Sequence, residues 1–98
     1  MSDFTPFIQT IVDGREAEVG RMLAEEGADP NAVDQGFPAI VSAAQFGHEG
    51  TVRVLAEAEA DLEAKTPDGS TALMLASQNG HEGTVRVLAE AKADLEAK

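Results

Sequence analysis

The chain has 98 residues, with 18 acidic against 7 basic side chains for a formal net charge of -11, and no cysteine. That length makes one small domain and excludes a core joined to a substrate-enclosing second lobe. The acidity repels phosphate backbones and anionic lipid, which argues against nucleic acid and membranes as partners, and without cysteine there is no disulfide framework, thiolate metal site or cysteine nucleophile.

In chain order, the opening Met1-Ser2-Asp3-Phe4-Thr5-Pro6 lacks the basic stretch of a secretory signal, so a cytoplasmic setting is expected. Thr5 through Gly14 then lies in register with Pro38 through Gly47 and with Thr71 through Gly80. Residues Gly47 to Lys65 recur 33 places later as Gly80 to Lys98 with one change in 19 positions, Glu59 to Lys92. Repetition at this period marks a solenoid whose units are too small to bury their own apolar faces and must lean on neighbours. The register divides a single domain, 1–98, into units 1–32, 33–65 and 66–98. In the third, Pro67-Asp68-Gly69 predicts a turn, Thr71 a helix cap, and Ala72 to Gln78 a short inner helix stopped at Asn79-Gly80. After Gly80 to Gly83, the spacing of Val85, Leu88 and Ala89 predicts one apolar stripe on a second helix, with Arg86 and Glu90 off it.

These residues carry a resemblance to the ankyrin repeat family. Asp68-Gly69-Ser70-Thr71-Ala72-Leu73, the Gly-His pairs at 47–48 and 80–81, and Gly27-Ala28-Asp29-Pro30-Asn31-Ala32 match its pattern, and the register extends over essentially the whole chain. The resemblance implies an all-α solenoid of stacked helix-turn-helix units, with β-hairpin finger loops projecting over a concave face. Ile8, Val41 and Met74 stand where the family has histidine. At the end of the second helix the family favours a left-handed glycine; Gly27 keeps it, whereas Glu59 and Lys92 do not, so strained backbone or a differently closed turn is expected at both. The first unit, with two basic and seven acidic residues and with Gln9 and Thr10 at register positions of Ser42-Ala43 and Leu75-Ala76, suits a solvated cap. At the other end Leu75, Val85, Leu88 and Leu95 are left without obvious cover.

Candidate chemistry is sparse. His48 and His81, the only histidines, occupy equivalent places, and the resemblance implies that they order the loop entering the second helix; no Cys and no His-x-x-x-His pair accompanies them. The run Glu57, Glu59, Asp61 and Glu63 alternates with other residues at a helix end and exit loop, where solvated charge is the ordinary outcome. Glycines punctuate turns and never form a phosphate-binding loop. No enzyme activity, metal or cofactor is expected.

The remaining reading is recognition. Phe37, on the finger, and Phe46, at the inner-helix end, stand where the third unit has Ser70 and Asn79. A shallow apolar spot ringed by Asp34, Gln35, Asp68 and Gln78 suits an interface anchor; core filler against Phe4 or Phe7 is the competing reading. With Val41, Gln45 and Met74 these residues form the expected partner-binding set. The function expected is a non-catalytic scaffold binding a protein with basic surface. The alternative is self-association, or continuation of an array or artificial stack, through the uncovered third unit.

Overall fold

The computed structural model describes residues 5–96, with side chains through Lys92. α1 (Pro6–Val12) begins where Thr5 is extended and Pro6 takes the first turn, where its missing N–H is no loss. Gly14, at φ 71°, reverses the chain into α2 (Glu16–Glu25). That helix closes on Gly27, at φ 68°, with Ala28 N–H donating to Met22 O at 3.1 Å.

Strands β1 (Val33–Asp34) and β2 (Phe37–Pro38) pair antiparallel, Val33 opposite Pro38 and Asp34 opposite Phe37. The two loop residues, Gln35 at φ 53° and Gly36 at φ 84°, have the left-handed pair that matches the twist of a two-residue hairpin. α3 (Ala39–Gln45) and α4 (Glu49–Glu57) follow. A wider loop then joins Lys65 to Thr71 by a single bridge, and Gly69 N–H donates to Thr66 O at 2.9 Å around Pro67 and Asp68. α5 (Ala72–Gln78) is capped by Thr71, whose hydroxyl accepts from Met74 N–H at 3.3 Å, and α6 (Glu82–Glu96) completes the described chain.

Helices pair as α1 with α2, α3 with α4 and α5 with α6; between pairs α1 meets α3, α3 meets α5, α2 meets α4 and α4 meets α6. The result is two layers of three helices, an all-α stack with a small hairpin. Its core lies at the inner seams, where Ile8, Ile11, Val19, Ile40, Val41, Val52 and Leu55 are almost wholly buried. Each such side chain contributes roughly 1.5 to 3 kcal/mol when covered, so the neighbouring pair supplies what one pair lacks.

Three expectations need correction. The buried face of α6 is Thr84, Val87 and Leu88, whereas Val85 is half-buried and Ala89 exposed. Val85 and Ala89 stand where α4, which α6 packs against, has Val52 buried and Ala56 half-buried. Leu88, expected to lack cover, is buried, and Leu75 is half-buried; the Leu95 side chain lies outside the described residues. The third correction separates Glu59 from Lys92. Glu59 takes φ 67°, so the left-handed turn is made with a glutamate, and Ala60 N–H donates to Leu55 O at 3.0 Å. Lys92 makes no turn, because α6 runs through it to Glu96.

Candidate protein-binding face

The hairpin is tied to the first helix, since the Asp34 carboxylate accepts from Thr5 N–H. Gln35 is exposed at its tip. Phe37 on β2 is half-buried and packs against the core, so this ring leans towards the filler role. Phe46 differs: it caps α3, is 47% exposed, and stacks on His48 with ring centroids 6.1 Å apart. His48 is itself fixed, its Nε2 lying 2.8 Å from Val12 O; a carbonyl only accepts, so the ring N–H donates. An exposed aromatic on an anchored support loses little freedom when it binds.

On the second loop, hydrogen bonds from Thr66 and Ser70 hold the Asp68 carboxyl below the usual carboxylate range, and Ser70 N–H donates to the Thr66 hydroxyl at 3.1 Å. Asn79, in register with Phe46, turns its amide back to donate to Gln45 O at 3.0 Å. Gln45 is half-buried and Gln78 exposed.

Val41 does not belong to an accessible face: it is 0% exposed, because the third pair closes over it. Met74, 33 residues on, is 49% exposed. Its counterparts Ile8 and Val41 are fully buried, so Met74 faces the end of the stack. Phe4 lies outside the described residues. Two exposed apolar residues escaped the sequence reading: Val33 on the hairpin, at 62%, and Leu73 on α5, at 44%. Val33 was findable as a β-branched residue beside a Gly-containing turn; Leu73 matches the buried Ile40, so composition gave no sign.

The chain as a whole is acidic, with a formal net charge of -11, and its outer helix α2 pairs part of that charge internally. Arg21 is engaged by Glu18 and by Glu26, the latter at 2.6 Å, and its hydrogen bond holds Glu18 below the usual carboxylate range while its own pKa is raised. Among the described residues, no three His, Cys, Asp or Glu side chains converge as a metal site, and no helix is long and apolar enough to cross a membrane. The arrangement offers contact area, hydrogen-bonding groups and negative potential.

The sequence profile of the ankyrin repeats, in three copies, matches residues 4–98. Among solved structures, the chain is similar to the human ASB11 ankyrin repeat domain, with a TM-score of 0.81 and 26% identity over 89% of this chain. It spans 39% of the length of that domain. No curated protein sequence matches it. Its helix pairs, hairpin and residue pattern agree with both comparisons, and the chain belongs to the ankyrin repeat family.

Proposed function

We propose that this chain uses the property general to its family, protein recognition without catalysis, to bind a partner with basic surface through its finger loops and inner-helix ends. Phe46 carries the reading: an aromatic ring 47% exposed, braced by His48, on an acidic stack. Asp34, Gln35, Asp68, Ser70, Gln78 and Asn79 supply polar groups along the same register, with Gln45 beneath them. Buried aromatics anchor interfaces, while the surrounding charge raises the association rate and sets specificity.

Selection from a random peptide display library tests this. Enriched peptides should combine Lys or Arg with an apolar anchor, lose binding to Phe46→Ala, and bind more weakly as salt rises. Phe46→Ala should leave the melting temperature nearly unchanged, because half the ring is already in solvent. Affinity indifferent to both salt and Phe46→Ala would overturn the reading.

A further inference from the structure

The three inner helices end at one register. Asp13, Phe46 and Asn79 close α1, α3 and α5, and each is 33 places from the next. Because α3 packs on both α1 and α5, Phe46 stands in the middle of this row, with Asp13 on one flank and Asn79 on the other. Contacts through the backbone hold the row together. His48, whose ring stacks on Phe46, donates from Nε2 to Val12 O at 2.8 Å, and that carbonyl belongs to the peptide leading into Asp13. The imidazole is itself wedged, since a Cβ on Gly14 would stand only 2.8 Å from His48 Cε1. On the other flank, Asn79 Nδ2 and His81 Nε2 each donate at 3.0 Å to Gln45 O, the carbonyl of the peptide leading into Phe46. Both ends of the row are thus tied to the aromatic position.

What the row lacks is donors. Asp13 is exposed; its Oδ1 accepts from Gln9 Nε2 at 2.9 Å, while its Oδ2 has no donor and its carboxylate no ion pair among the described residues. A carbonyl only accepts, so Gln45 O takes the nitrogen of the Asn79 amide and leaves Asn79 Oδ1 turned away from it, again without a donor among the described residues. Between these acceptors the Phe46 ring is 47% exposed, with His48 on one side of it and solvent on the other.

A ligand that satisfies the row must be flat enough to lie on a phenyl face, positively charged, and supplied with donors around its edge. Arginine has all three properties. The guanidinium is planar and weakly hydrated, it is attracted to an aromatic face, and its N–H groups lie in its own plane, free to bond sideways while a face is covered. A lysine ammonium is a compact, strongly hydrated point charge without a face to stack. Packed helices lie about 8 to 10 Å apart, a spacing that an aspartate or asparagine side chain on one side and a guanidinium with its hydrogen bond on the other bridge together.

We propose that Asp13, Phe46 and Asn79 form a receptor for one arginine side chain of the partner protein. The guanidinium stacks on the side of Phe46 away from His48, donates to Asp13 Oδ2 from one edge and to Asn79 Oδ1 from another, and is balanced by the Asp13 charge. The proposal rests on the protein-recognition reading given above and sharpens it, from a basic partner to an arginine at one place. It also brings Asp13 into the binding face.

The test uses two peptides of equal charge, hexa-arginine and hexa-lysine, titrated into the full chain at one ionic strength and followed by calorimetry and by NMR. Hexa-arginine should bind at least about threefold more tightly, and nuclear Overhauser contacts should join its Cδ protons to the Phe46 ring. Phe46→Leu keeps an apolar side chain but removes the aromatic face, so it should bring the ratio of the two affinities close to one. Asp13→Asn keeps an acceptor for Gln9 and the parent's thermal melt, which preserves the test should Phe46→Leu disturb the fold. It should weaken hexa-arginine more than hexa-lysine. Glu57→Gln removes the same charge at the end of α4 and should weaken both peptides alike. Equal affinities for the two peptides, a preference that survives Phe46→Leu, or an Asp13→Asn loss shared equally by both would overturn the arginine receptor and leave recognition at Phe46 standing. Failure of the recognition reading itself is a different result: display-selected peptides indifferent both to Phe46→Ala and to salt.

Discussion

Lys92 Nζ stands 2.9 Å from Glu63 Oε1, and Lys92 is the single residue by which 80–98 departs from 47–65. In the first unit the matching contact is of another kind: Asn31, in register with Glu63, accepts through its side chain from Asp61 N–H at 2.7 Å and holds the loop after α4 in place. Where Glu63 replaces that amide and Lys92 replaces Glu59, the helix continues and an ion pair spans the gap.

That pair is exposed and its effect is confined by pH. Hydrogen bonding to Lys92, with its charge, lowers the Glu63 pKa from 4.5. A carboxyl whose folded pKa is depressed adds stability above its unfolded pKa and loses it as pH falls through the folded one. Lys92→Gln should therefore melt slightly below the parent at pH 7. The two melts should converge on acidification through the region below pH 4.5 and also in high salt. A gap that persists in acid would assign the effect to packing of the lysine stem.

Glycine should act with opposite signs at the two duplicated positions. Glu59 is at φ 67°, where a side chain costs about 1 to 2 kcal/mol, so Glu59→Gly should raise the melting temperature by several degrees. Lys92 is inside α6, so Lys92→Gly should reduce helical ellipticity and lower the melt. Thermal melts followed by circular dichroism check both, and a fall for Glu59→Gly would remove the strain reading.

Thr51 and Thr84 are 1% and 0% exposed, and neither hydroxyl has a hydrogen-bond partner. Burying an unsatisfied hydroxyl costs about 1 to 3 kcal/mol, and valine has nearly the same shape. Thr51→Val and Thr84→Val should each stabilise by about 1 kcal/mol in urea unfolding, with the slope unchanged.

Alanine at Gly47 and at Gly80 should separate backbone strain from ring contact. Both positions have positive φ, 71° and 75°, so both changes carry about 1 to 2 kcal/mol of strain. Only at Gly47 does the new methyl meet an imidazole. Gly47→Ala should therefore be the more destabilising by at least about 1 kcal/mol. Equal losses would show that the histidine shifts aside freely.

What local chemistry decides was readable in the sequence. The Thr71 cap, the Gly-His turns at 47–48 and 80–81 and the left-handed site after the second helix at Gly27 and Glu59 are each written in a few adjacent residues. What neighbours decide was not. Val41 and Met74 look alike in sequence, yet one is sealed by the next pair and the other has none over it. The same holds for Val52 and Val85, and for the apolar stripe of α6, which turned out to be Thr84, Val87 and Leu88. Phe46 and Phe37 also divided on tertiary grounds, because the hairpin folds Phe37 inward while the end of α3 leaves Phe46 outside.

The backward-reaching imidazoles give each seam a private spectroscopic marker. With only two histidines in the chain, one carbon-bound ring proton reports the boundary between the first and second pairs and the other reports the boundary between the second and third. Because the third pair buries Ala72, Ala76, Val87 and Leu88 where the first buries Phe7, Ile8, Ile11 and Val19, denaturant should carry the His81 signal to its random-coil position before that of His48 moves, so unzipping can be timed one boundary at a time.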